Sequence, residues 1–227
     1  MQYGEFWILE TAVDWHVPFC YVDGPREFLQ AQWNKPWHAM PRSTLLNTFE
    51  RLQLSREIAV WDENGDEMTL TRAELNDEIE ARERGPNVKA YGLTPKGGAR
   101  WERFAKADWN RYHSYEWDID NEDVLEIATT SHEVTERAFR YIVPWCDFRI
   151  FPETVERRTL HPWSVTYWKS LRIGYSVRFK CVEDRDGMIT QTFSGMSDTE
   201  IRARFAAVHS EYEYFSDWYV KHPETPC

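Results

Sequence analysis

The sequence predicts an α+β protein of two domains, residues 1–112 and 113–227, the second an antiparallel sheet covered by helices. Three observations carry that reading. Apolar residues recur at helical spacing in short segments, as in Leu45, Phe49 and Leu52. Near-strict alternation from Ile173 to Cys181 marks a half-buried strand. A longer stripe, Ile201, Phe205, Val208, Tyr212, Phe215 and Tyr219, steps by four and three and needs a sheet or another helix to lie on. A chain of 227 residues can bury two small cores.

In chain order, Phe6, Leu9 and Val13 predict a first helix from about Glu5 to Trp15, stopped by Pro18. Asp23, Gly24 and Pro25 form a turn that opens a short helix through Phe28 and Leu29 to Trp33, and Pro36 and Pro41 break the chain again. A helix then carries Leu45, Phe49 and Leu52, and Ile58 to Trp61 reads as a strand leading into an Asn64-Gly65 hairpin turn. Thr71 and Glu74 form a capping box at the head of TRAELNDEIEARER, a helix ended by Gly85-Pro86. Val88 to Leu93 returns as a strand that pairs with Ile58 to Trp61.

The stretch YGLTPKGGARWERF, Tyr91 to Phe104, joins that strand to a helix. Thr94 is its N-cap and Pro95 its first residue. Gly97 and Gly98 lower helix propensity, and close approach of a neighbouring element is the reason to have them. This stretch resembles the end of a bacterial winged-helix domain, where the last wing strand runs through a Y-x-L-T-x-x-G turn into a closing helix. The resemblance implies a winged-helix-like N-terminal domain, with the TRAELNDEIEARER helix inserted in the wing. A winged helix that binds DNA would read the major groove with the helix after Pro41, through Arg42, Asn47, Arg51 and Arg56. Glu50 and Glu57 interrupt that face, and residues 1–112 hold 18 acidic against 14 basic side chains, a net of −4. Such a field does not help a domain approach DNA.

The connector HSYEWDIDNED, His113 to Asp123, is acidic and aromatic rather than a flexible linker. Val124 to Ala128 reads as a strand, and Ser131 caps a helix with Val134, Ala138, Tyr141 and Ile142 on its buried face, ended by Pro144. Phe148 to Phe151 and Thr154 to Leu160 read as strands. In the alternating strand, Tyr175, Val177 and Phe179 share one face, and Ser176, Arg178 and Lys180 the other. Asp186-Gly187 is the next hairpin turn, into a strand from Met188 to Phe193. Ser197 and Glu200 form a capping box ahead of the last helix.

A formal charge of −11 argues against a protein whose main task is non-specific phosphate contact, and an aromatic content of 15 %, with twelve Trp, argues for large packed surfaces. Cys20, Cys146, Cys181 and Cys227 match no paired spacing, so free intracellular thiols are expected. The N-terminal sequence has neither a basic leader nor an unbroken apolar run, so the expectation is a cytoplasmic protein with no membrane partner.

The segment from Arg157 to Lys180 stands apart. It holds Arg157, Arg158, Lys169, Arg172, Arg178 and Lys180 with no acidic residue, interleaved with Trp163, Tyr167 and Trp168. Cations beside exposed rings can hold a macromolecule through charge, stacking and cation–π contact; cations on a solvated face over core rings would do nothing of the kind. No catalytic residue, cofactor or metal site is nominated. HEVTE at His132 to Glu136 lacks the second histidine of a zinc helix, His161 has no paired nucleophile, and His16 with Cys20 needs two further ligands. The expected function is a bacterial interaction protein, of adaptor or immunity type, whose partner is another protein, with homo-oligomers also open. The alternatives are a DNA-binding regulator with a ligand-sensing or dimerisation domain, and a nucleotide- or nucleic-acid-processing enzyme built on Arg157 to Lys180.

Overall fold

The computed structural model describes residues 1–23, 38–81, 88–146, 148–183 and 196–221. The expected helix around Phe28 to Trp33, the Gly85-Pro86 stop and the Asp186-Gly187 hairpin fall outside these residues. The chain is α+β, with helices and antiparallel sheets. It divides into two compact units. Unit 1 is Met1–Lys106 with Thr166–Lys169 and Lys221, and unit 2 is Ala107–Val165 with Ser170–Val220.

Unit 1 begins with α1 (Tyr3–Thr11), buried from Glu5 to Thr11, with Phe6, Trp7, Ile8 and Leu9 in the core and Glu5 and Glu10 buried beside them. It is shorter than the expected helix to Trp15. The carbonyls of Ala12 and Val13, which a longer helix would use, accept instead from the Tyr167 hydroxyl at 2.6 Å and the Trp168 indole N–H at 2.8 Å. Val17 is thereby released into β1 (Val17–Pro18). After α2 (Arg42–Leu54) come β2 (Ile58–Trp61), β3 (Glu67–Met68), α3 (Arg72–Glu80), β4 (Ala90–Leu93) and α4 (Pro95–Ala105). The sheet order is β1-β4-β2-β3, antiparallel throughout, with Ile58 opposite Leu93 and Trp61 opposite Ala90. The Thr71–Glu74 capping box forms, and the turn after β2 has Gly65 at φ +83°.

The two glycines of α4 take the close approach the sequence suggests. A Cβ on Gly97 would overlap the Glu57 carbonyl, and one on Gly98 would overlap the Trp168 ring. Thr94 caps the helix, accepting from the Gly97 N–H at 3.2 Å, while its own N–H donates to Glu57 O at 3.1 Å. One turn further on, Arg100 bridges Glu57 and the buried Glu5, and Arg51 also pairs with Glu5. Burial alone would raise the Glu5 pKa; the Gln2 N–H and the two guanidinium groups outweigh it and hold this carboxyl below its ordinary value.

Unit 2 holds β5 (Ser114–Asp118), β6 (Asn121–Thr129), α5 (His132–Trp145), β7 (Phe148–Ile150), β8 (Glu156–Leu160), a small pair β9 (Trp163–Ser164) and β10 (Ser170–Leu171), β11 (Gly174–Glu183) and α6 (Asp198–Ser216). The main sheet runs β5-β6-β11, and the far side of β11 is shared by β8 along Gly174 to Arg178 and β7 along Cys181 to Glu183. The expected alternation holds from Val177 to Cys181: Val177, Phe179 and Cys181 are buried with Leu125 and Ile127 under Ala138, Tyr141 and Ile142 of α5, whereas Ile173 precedes the strand and is 39 % exposed, and Ser176 is buried where its hydroxyl donates to Glu126. The expected connector is instead a strand, since residues 114–118 form the outer arm of a hairpin with β6. The stripe on α6 is covered unevenly, with Phe215 buried against Tyr141 and Phe205 61 % exposed.

Gly97→Ala separates two opposed effects. Helix propensity alone would make it stabilising by about 1 kcal/mol. The clash with the Glu57 carbonyl should reverse the sign and leave the variant about 1–3 kcal/mol less stable, read as a lower urea midpoint.

Candidate functional site

The basic and aromatic segment is divided between the two units. Tyr167, Trp168 and Lys169 belong to unit 1. The Tyr167 hydroxyl donates to Ala12 O and accepts from the Leu93 N–H, the Trp168 ring lies on Gly98, and Lys169 Nζ pairs with Glu102 at 2.9 Å. Trp163, in unit 2, is buried against Gly174. Trp163 is thus a core ring, and Tyr167, Trp168 and Lys169 each have a structural contact, although Tyr167 remains 40 % exposed. The Tyr167 ring edge also meets His16, which stacks on Trp61 at 4.2 Å over the bare backbone of Gly92.

The remaining cations lie in unit 2, and all but Arg172 are paired with a carboxylate where they stand. Arg157 pairs with Glu136 at 2.5 Å, Arg158 with Glu156, Arg178 with Asp118, and Lys180 with Asp123 at 3.0 Å. Arg172 is exposed and has no ion pair among the described residues. The alternation of β11 explains this: it places Arg178 and Lys180 on a polar face beside the acidic hairpin β5–β6, so the charges that look isolated in sequence are paired across strands.

Three of the four residues expected to read DNA are likewise engaged within unit 1. Arg42 donates to Asp23 at 2.9 Å and to the Asn76 side chain and carbonyl at 3.1 and 2.9 Å, while Asn47 accepts from Arg72, which also pairs with Glu50 at 2.6 Å. Helix α3 thus lies along the outer face of α2. Arg51 is held by Glu5. Arg56, with φ +53°, stays exposed without an ion pair among the described residues. It borders a groove of about 730 Å³ with Leu54, Met68 and Lys96. The groove's polar groups are committed to holding its walls: Gln53 clamps both backbone groups of Leu70, and Lys96 Nζ donates to Ser55 O at 2.6 Å.

In HEVTE, His132 packs on the Tyr175 ring at 4.0 Å and Glu136 holds Arg157. Among the described residues, no group of three His, Cys, Asp or Glu side chains is placed to hold a metal ion, and no helix is long and apolar enough to cross a membrane.

The surface that sequence reasoning missed is the hairpin arm β5. Tyr115, Trp117 and Ile119 follow one another at every second position and are 52 %, 42 % and 94 % exposed. Tyr115 and Trp117 stand opposite Ile127 and Leu125 of the core face, and Trp117 touches Phe148 at the edge of the core. Glu116, on the other face, stands opposite Glu126. The signal was present as the alternation Y-E-W-D-I-D, a period of two that marks a strand. No family, curated protein or solved structure matches the chain.

Two histidines are held neutral by burial. His38, beside Trp7, is lowered to about 4, although Asp23 and a backbone contact at Val22 pull the other way. His113, packed by Phe215 and Tyr141, is also lowered to about 4. An unfolded histidine takes its proton near 6.5, so below that pH the unfolded chain binds protons the folded chain refuses. Stability should be complete above about pH 7 and fall as pH drops from about 6.5 toward 4, by up to about 3 kcal/mol per histidine. Urea midpoints measured across that range check this, and His113→Phe should remove part of the slope.

Proposed function

We propose that this chain is a macromolecular interaction protein, of adaptor or immunity type, whose partner is another protein. The observation that carries the reading is a set of half-exposed and exposed apolar side chains, Tyr115 and Trp117 on an outer strand of the unit 2 sheet and Ile119 in the turn that follows it. Apolar side chains lined up on an accessible strand are suited to protein contact, where aromatic anchors supply most of the binding energy. The acidic charge of −11 and the pairing of Arg157, Arg158, Arg178 and Lys180 with carboxylates support a protein over a nucleic acid as the partner.

Unit 1 we read as a winged-helix-like scaffold. Its support is the element order and the sheet order β1-β4-β2-β3, with β2 and β4 joined by the YGLT turn to the closing helix. The inserted α3 occupies Arg42 and, through Arg72, Asn47. A DNA-binding regulator has less support for that reason.

Affinity capture with the full chain from a nuclease-treated lysate tests the reading. A stoichiometric protein should be retained, and lost with Tyr115→Ser plus Ile119→Ser, variants whose exposed positions leave the melting temperature within a few degrees of the parent. A chain that stays monomeric and retains no protein, or that retains nucleic acid in an untreated lysate only, would overturn it.

A further inference from the structure

The strand β5 is the end of its sheet. It pairs with β6 on one side, and no strand among the described residues pairs with the other. Its outer N–H and C=O groups are thus taken up by no described strand, and such groups are a template for a further strand. Proteins that must keep such an edge empty place charges, above all Lys, or Pro on it or twist it away with a bulge, and the carboxylates of Glu116 and Asp118 repel only a strand that is itself acidic. Here Ser114 to Asp118 contains neither Lys nor Pro. The register irregularity falls between Trp117 and Asp118, at the end of the strand, so Ser114 to Trp117 remains regular.

The two faces of this edge ask for different side chains. On the core side, Tyr115 and Trp117 extend the buried rows of Ile127 and Leu125 outward into solvent. On the polar side, one register row reads Glu116, Glu126, Arg178 and Glu156 across four strands. Like charges directly opposite are unfavourable, and Arg178 is already paired with Asp118. His113 to Asp123 carries five carboxylates and no Lys or Arg. Asp118 and Asp123 are matched by Arg178 and Lys180, while Glu116, Asp120 and Glu122 have no ion pair among the described residues.

Resting on the interaction reading above, we infer that the partner docks as an extended strand along the free edge of β5, and that this strand alternates Lys or Arg with apolar side chains. Main-chain hydrogen bonds to β5 supply affinity, as in other strand additions. Apolar residues of the incoming strand cover Tyr115 and Trp117, and its cations stand beside Glu116. A second copy of this chain does not fit, since pairing β5 with itself brings Glu116 and Asp118 against the same carboxylates of the other copy.

The probe is a capped eight-residue peptide alternating Lys and Val, titrated into the full chain with tryptophan fluorescence as the readout. One-to-one binding is expected. Sorting the same residues into a Lys block and a Val block, or methylating every second amide nitrogen, should weaken it at least tenfold, and so should Glu116→Lys, an exposed substitution checked for folding by its thermal melt. Equal binding of the blocked or methylated peptide would mean charge attraction without strand addition and would overturn the inference, as would binding unchanged by Glu116→Lys. Self-association of the parent chain, relieved when Tyr115 is changed to Ser, would put a second copy on the edge and overturn it too. If the peptide fails while the captured protein still depends on Tyr115 and Ile119, strand addition alone falls; if both fail, the interaction reading falls with it.

Discussion

Unit 1 depends on a pair of close approaches to one helix. The Glu57 carbonyl reaches α4 at Gly97, and the Trp168 indole reaches it at Gly98, contacts that any side chain at those positions would block. Because Glu57 sits there, its carbonyl can accept from Thr94 and its carboxylate can meet Arg100, which in turn neutralises the buried Glu5. A carboxylate with its side chain 2 % exposed is tolerable only with such partners. Because Trp168 sits there, Tyr167 beside it can take up the end of α1 and the Leu93 N–H.

Unit 2 is organised by the alternation of β11. One face supplies Val177, Phe179 and Cys181 to the core, where burial pushes the Cys181 thiol up to about 11 and leaves it a packing residue at neutral pH. The other face places Ser176 and Arg178 among carboxylates of β5, β6 and β8. Strand order thus converts a run of cations in sequence into a compensated surface. It also leaves the hairpin arm β5 with more carboxylates than cations, and with its apolar residues half outside the core. The interaction reading and the strand-addition inference both grow from that imbalance.

Local signals were legible because they depend on near neighbours in the chain. The caps at Thr71, Thr94, Ser131 and Ser197, the buried stripe of α2 and the alternation of β11 from Val177 to Cys181 appear as read. The pairing of β2 with β4 was legible too. Two readings differed for a common reason. The first helix stops at Thr11 because side chains some 155 positions away in sequence take its carbonyls. The acidic stretch before β6 is a strand because it hairpins onto β6, and its charge drew attention away from its period of two.

The sequence by itself determined the α+β class, most element positions and the need for something to press on Gly97 and Gly98, since backbone sterics, capping and hydrophobic period act over a few residues. Only the tertiary structure decided what pressed there, which cations kept their charge free, and which strand became an outer edge. Those outcomes depend on register and strand order, which bring together residues such as Arg178 and Asp118, or Trp168 and Gly98, that no local rule relates.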